Sequence, residues 1–113
     1  MRIVTRSLAV TTTGSDAAAV GSANLDGTTG FLLDVWIDYA STAPATTDVT
    51  IAYVTRGGTI ATVTNNATDI LIAPRQNPAA DAKYPINQAI TVSVAGANAL
   101  DPCVTAWFRI LLT

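Results

Sequence analysis

The sequence alternates, and that constrains it more than any other property. In "FLLDVWIDY", Phe31, Leu33, Val35, Ile37 and Tyr39 fall on one face, and Leu32, Asp34, Trp36 and Asp38 on the other. A period of two belongs to a strand with one buried face, because successive side chains of an extended chain point to opposite sides. The C-terminal "VTAWFRILLT" sets Val104, Ala106, Phe108, Ile110 and Leu112 against Thr105, Trp107, Arg109 and Leu111. "DVTIAYV", Gly57-Gly58 and "TIATVT" read as a hairpin. "DILIA" turns Ile70 and Ile72 inward, and "AITVSV" does so with Ile90, Val92 and Val94. "RIVTRSLAVTTT" and "AAAVGSAN" supply two weaker strands. About eight short strands rich in β-branched residues, with no convincing helix, predict an all-β fold: a single antiparallel β-sandwich or jelly-roll-like domain.

The chain of 113 residues fits one domain, 1–113. Charged residues make up 12% of it, about half the usual share. So weak a surface charge suits either a multimer or surface-bound protein, or an ordinary Thr-coated β domain. The formal charge of -2 comes with no basic cluster, which argues against a nucleic-acid partner. No apolar run approaches the roughly 20 residues of a membrane span, so no membrane partner is expected. The polar-broken N-terminus does not read as a signal peptide. With one cysteine, Cys103, no intrachain disulfide framework is available, and folding in a reducing cytoplasm is expected. Asn66-Ala67-Thr68 reads as a turn.

Histidine and glutamate are both absent. No Ser-His-Asp or Cys-His arrangement can form, and zinc loses its usual nitrogen ligand. No catalytic residue, cofactor site or metal site is assigned. Asp34 and Asp38 share one strand face, but four residues of strand span roughly 13 Å, beyond the at most about 9.5 Å of a glycosidase pair. The Asp34–Trp36–Asp38 row reads either as a sugar-stacking platform or as a face toward solvent or an interface. Asp26, Thr28 and Thr29 around Gly27 form an oxygen-rich loop that calcium could use, without the EF-hand ladder. Cys103, at a strand start beside Pro102, reads as a small semi-buried apolar residue, with no neighbour to lower its pKa.

Three features suggest contact with a partner. Trp107, Arg109 and Leu111 form an outward row with the composition of an interface hot spot, unless both faces of that strand are buried. The first segment, 1–12, reads as an N-terminal arm, with Arg2 and Arg6 placed to meet acidic groups on a neighbour or to solubilise an edge strand. The third is a long loop at 74–88, in which Pro78 and Pro85 stiffen the chain. There Arg75 and Gln76 offer donors, and Tyr84 and Ile86 offer apolar contact. It reads as an arm for a neighbouring subunit or as a crossover between sheets.

These pieces resemble a known family, the capsid decoration proteins of bacteriophages, also called head cement or auxiliary head proteins. The likeness lies in the basic–aliphatic opening strand over 1–12 and the strand ending in Asp38-Tyr39. It continues with "TTDVTIAYV" and its Gly hairpin, with "APRQ" closing a strand, and with "QAITVSVAGA" before a last strand. It covers nearly the whole chain. The loop "NPAADAKYPI" departs from the pattern. The resemblance implies a structural virion protein on the outer capsid surface, made in the host cytoplasm and commonly a homotrimer. It would bind the major capsid protein and cement neighbouring subunits without catalysis or cofactor. The alternative is a carbohydrate- or receptor-binding β-sandwich module of a phage tail or a cell-surface protein.

Overall fold

The described strands are β1 (Arg2–Val10), β2 (Ala19–Leu25), β3 (Gly30–Tyr39), β4 (Asp48–Tyr53), β5 (Thr59–Val63), β6 (Ile70–Ile72), β7 (Arg75–Asn77), β8 (Ala82–Ile86), β9 (Ile90–Ala97) and β10 (Val104–Leu112). A computed structural model describes residues 2–77, 80 and 82–112. The strand pairings are nested. β1 pairs β10, β2 pairs β9, β3 pairs β6 and β8, and β4 pairs β5, all antiparallel. The chain is therefore one long ribbon doubled on itself. Rolling that ribbon brings β10 against β3 and β9 against β4. Two sheets result: β1-β10-β3-β8-β7, with β6 also on β3, and β2-β9-β4-β5. This is the jelly-roll form of the β-sandwich, as the alternation predicts.

One core fills the space between the sheets. Phe108, Leu32, Ile37, Ile51, Ile90 and Ile110 are its largest fully buried side chains. Several polar groups that enter it are paired, as burial demands, while the buried Tyr39 hydroxyl has no hydrogen-bond partner among the described residues. The Thr12 hydroxyl donates to the Asn98 carbonyl at 2.6 Å and accepts from the Leu100 N–H at 3.1 Å. Tyr53 on β4 donates to the Pro85 carbonyl on β8 at 2.7 Å, tying one sheet to the other.

The alternation of β3 breaks once. Arg109 of β10 pairs Asp34 while the next residue, Ile110, pairs Leu32, so Leu33 is an extra residue in a β-bulge. One extra residue inverts the two faces on its far side. Val35, Ile37 and Tyr39 face the core as expected, but Leu32 is buried and Phe31 is exposed. The inward places expected for Phe31 and Leu33 are thus corrected. At the start of β3 the two strands lie so close that a methyl on Gly30 would overlap the Leu111 carbonyl.

The loop expected at 74–88 is a ribbon instead. β6 pairs residues 35–37 of β3, and β8 continues in the same direction along residues 30–32. The two are halves of one edge strand, interrupted opposite the bulge, with β7 folded back on β8. Arg75 lies at the interruption and donates to the carbonyls of Leu33 at 3.1 Å and Pro74 at 2.8 Å. Ile86 is 2% exposed. Tyr84 packs on the core with its ring 6.4 Å from that of Tyr53. Arg75, Tyr84 and Ile86 therefore take part in this fold, Ile86 buried and Arg75 and Tyr84 half-buried. Gln76 is exposed on β7, and Pro78 lies outside the described residues. The arm expected at 1–12 is also corrected: residues 2–10 form an edge strand paired with β10 along its whole length.

The bulge sets a test. Leu32→Ala is expected to cost about 2–5 kcal/mol, as a buried Leu does, and Leu33→Ala clearly less, both measured by urea unfolding. Equal losses would put both side chains in the core.

Candidate functional site

The register places four rows across the outer face of the larger sheet. The first holds Ile3, Leu111, Phe31 and Pro85. The second holds Thr5, Arg109 and Asp34. The third holds Ser7, Trp107, Trp36 and Leu71, and the fourth Ala9, Thr105 and Asp38. Directly opposed residues of neighbouring strands point the same way, and the core lies on the other side. Five of the seven exposed large apolar residues described are in these rows: Ile3, Phe31, Trp36, Leu71 and Trp107. Trp36 and Trp107 are 40% and 43% exposed, and Leu71 is 58% exposed.

Between the two apolar rows lies one ion pair. The Arg109 Nε donates to both Asp34 oxygens, at 2.9 and 3.1 Å, and Nη2 donates to Oδ2. This fork-on-fork geometry is the strong form of a charge pair. Asp34 is 9% exposed, so its charge depends on Arg109 for compensation. In turn, the Asp34 carboxylate raises the Arg109 pKa through hydrogen bonding and charge.

The outer face of the smaller sheet differs in kind. Its rows are Ser22, Ser93, Thr50 and Thr62, then Asn24, Thr91, Ala52 and Thr59. Small polar side chains make up most of it, with Val20 exposed at the head of β2. Its chemistry suits solvent, and that of the larger sheet suits a partner.

The candidate residues divide accordingly. Trp36, Trp107, Arg109 and Leu111 come together on the apolar face, with Trp107 and Arg109 exposed and Leu111 half-buried. Arg2 and Arg6 point to the opposite side of β1. Arg6 donates to the Thr28 hydroxyl at 2.5 Å and to the Asp26 carbonyl at 3.4 Å. A guanidinium thus already engages the loop considered for calcium, and among the described residues no three acidic, Cys or His side chains gather as a metal set. Ile3, Phe31 and Leu71 went unflagged in the sequence. Leu71 was legible, as the outward apolar residue of "DILIA"; Phe31 was not, because the bulge inverts it. A cavity of about 180 Å³ opens at the rim of the face, lined by Asp38, Tyr39, Ala40, Pro102, Cys103 and Thr105.

No protein-family model and no curated protein sequence matches the chain. Among solved structures it is similar to a family 29 carbohydrate-binding module, at 10% identity over 96% of this chain and 75% of that one, TM-score 0.41. It is similar to a chain of the infectious bursal disease virus Gx strain, at 18% identity over 96% of this chain and 32% of that one, TM-score 0.38. A third likeness is to a virus-like particle of the Macrobrachium rosenbergii extra small virus, at 13% identity over 97% and 78%, TM-score 0.37. Likenesses this loose carry no argument about function.

Cys103 is fully buried, and burial pushes its thiol above the ordinary value. Burial acts the same way on Tyr39. The folded chain keeps these protons to higher pH than the unfolded chain does. Stability should then fall as pH rises past the unfolded thiol value of about 8.5 and the phenol value of about 10. Ellman's reagent is expected to leave Cys103 unlabelled in the native protein and to label it on unfolding; fast native labelling would contradict its burial.

Proposed function

We propose that this chain is a structural virion protein that binds the outer surface of a phage capsid and cements neighbouring coat subunits. It acts by contact, without catalysis or cofactor, and its partners are the major capsid protein and copies of itself. The observation that carries this reading is the apolar outer face of the β1-β10-β3-β6 side, set against a smaller sheet whose outer rows are mostly Ser and Thr. Exposed apolar area of this kind gains free energy when a protein surface covers it. The sequence resemblance to decoration proteins adds the setting, and the poverty of charge adds low repulsion between neighbours.

The alternative, a sugar- or receptor-binding module, draws support from Trp36 and Trp107 lying side by side on adjacent strands. A sugar platform also needs hydrogen-bonding groups beside its rings. Here Asp34 is engaged by Arg109, Asp38 and Thr105 flank the Trp pair on one side only, and the other flanks are Leu71, Leu111 and Ile3. The composition favours protein over glycan.

The test is to mix purified protein with phage heads that lack their decoration protein. Electron microscopy should show stoichiometric, symmetric density on the head exterior. Binding to a glycan array and to no head would favour the alternative. Trp107→Ala should lower occupancy about tenfold or more, as loss of a central Trp anchor does, with little change in the unfolding midpoint. A collapsed fold would instead mark Trp107 as core.

A further inference from the structure

We infer that the apolar face pairs with the same face of a second copy, about a twofold axis parallel to the strands and between β3 and β10. This rests on reading the face as an assembly surface and names a second copy as its partner in solution, one that coat protein on a head would compete with for the same rows. The order of the rows supports it. Such an axis keeps each row in register and exchanges β10 with β3, and β1 with the β6–β8 edge.

Except for Ser7 against Leu71 at the rim, the exchange places like chemistry together and opposite charges together. Leu111 meets Phe31 of the second copy, and Ile3 meets Pro85. Trp107 meets Trp36, and Ser7 meets Leu71. In the charged row Arg109 meets Asp34, and Asp34 meets Arg109. Two ion pairs stack into a square of alternating charge. Thr105 lies over Asp38, a hydroxyl donor over a carboxylate.

The charged row makes this specific. Within one copy Asp34 takes the Arg109 Nε and Nη2 donors. No described partner takes the Nη1 donors. Covering the face strips water from those N–H groups, so the covering surface must bring an acceptor to that point. Asp34 of a second copy brings one, without adding net charge to the interface. An apolar partner lacking such an acceptor would leave the guanidinium buried and short of partners, which is costly. Two sheets stack about 10 Å apart with strands within about 30° of alignment, so the register survives the twist near the axis.

The face spans roughly 20 Å along the strands and 15 Å across them, about 300 Å² per copy and well under the roughly 800 Å² per partner of a standard stable interface. The expected pair is weak and reversible. It contains two chains, where the family resemblance implies three.

Sedimentation equilibrium over about 1 μM to 1 mM, the range that suits so small an interface, tests this. Wild type is expected to shift from one-chain to two-chain mass. Arg109→Asp and Asp34→Arg should each remain one-chain species, because like charges then face each other. Mixed in equal amounts, they should recover the two-chain species, since each supplies the charge the other lacks. Leu71→Lys, at an exposed edge position that does not touch the ion pair, should also abolish pairing if the charge variants fold poorly. A wild-type chain that stays single throughout, or associates as three, overturns the inference. So does a two-chain species that survives Leu71→Lys, or folded charge variants whose mixture stays single. Head binding by a strictly single chain would keep the virion role and remove the pairing. Pairing without binding to any head would do the reverse.

Discussion

A strand has only two faces, so one extra residue reassigns everything beyond it. Leu33 is that residue. Because β3 bulges there, Leu32 enters the core and Phe31 joins the outer face. The same irregularity splits the neighbouring edge strand: β6 pairs one side of the bulge and β8 the other. The chain between them has room to leave the sheet and return as a ribbon. Arg75, at the point of departure, supplies donors to the carbonyl that the bulge leaves without a strand partner. Asp34, Trp36 and Asp38 keep one register with β10 up to the bulge, and the placing of Leu32, Phe31 and the split edge follows from it.

The two outer faces show how a charge-poor protein keeps one surface inert and the other adhesive. Ser and Thr on the smaller sheet hydrogen-bond water and present little apolar area. The larger sheet has aromatic and aliphatic rows interrupted by a single pair of charges. An exposed ion pair adds little to folding stability. Asp34 is not exposed, however, and without Arg109 it would be a nearly covered, uncompensated charge. The pair therefore lets a carboxylate sit within an apolar surface, and it gives that surface a direction that apolar rows alone lack. Non-directional burial supplies attraction, and fixed charges choose the register.

Much of this was legible in the sequence. Eight of the ten described strands announce themselves by alternation, because each has one wetter face and one drier face. Trp36, Trp107, Arg109 and Leu111 read as outward for the same reason. The ribbon was hidden because Pro74 and Pro85 read as breakers. Pro85 is tolerated in β8 because β7 pairs only Ala82 and Lys83, leaving no strand on that side to miss its N–H. Ile86 and Tyr84 looked like loop residues once the loop was assumed, and the sheet claims both. Phe31 was hidden by parity: alternation read back from Val35 gives the wrong face as soon as one residue bulges. Local pattern shows that a strand exists, but the register that reveals a bulge lies in β10, some seventy residues away.

A weak pairing suits a protein proposed to work on a shell. A head presents its sites in a lattice, so a second contact, once the first is made, becomes intramolecular with an effective concentration of about millimolar for a closely held partner. Strong pairing in solution would be a disadvantage, because it would drive association before the shell is ready. The structure has the features this requires. The apolar rows are interrupted by polar ones, which limits the attraction of any single contact, and the alternating charges reject shifted registers. In the proposed pair the mostly Ser/Thr face would point outward and offer little to a further layer. A face that is selective but only moderately attractive gains stability from the number of copies, and a jelly roll with one adhesive side provides it.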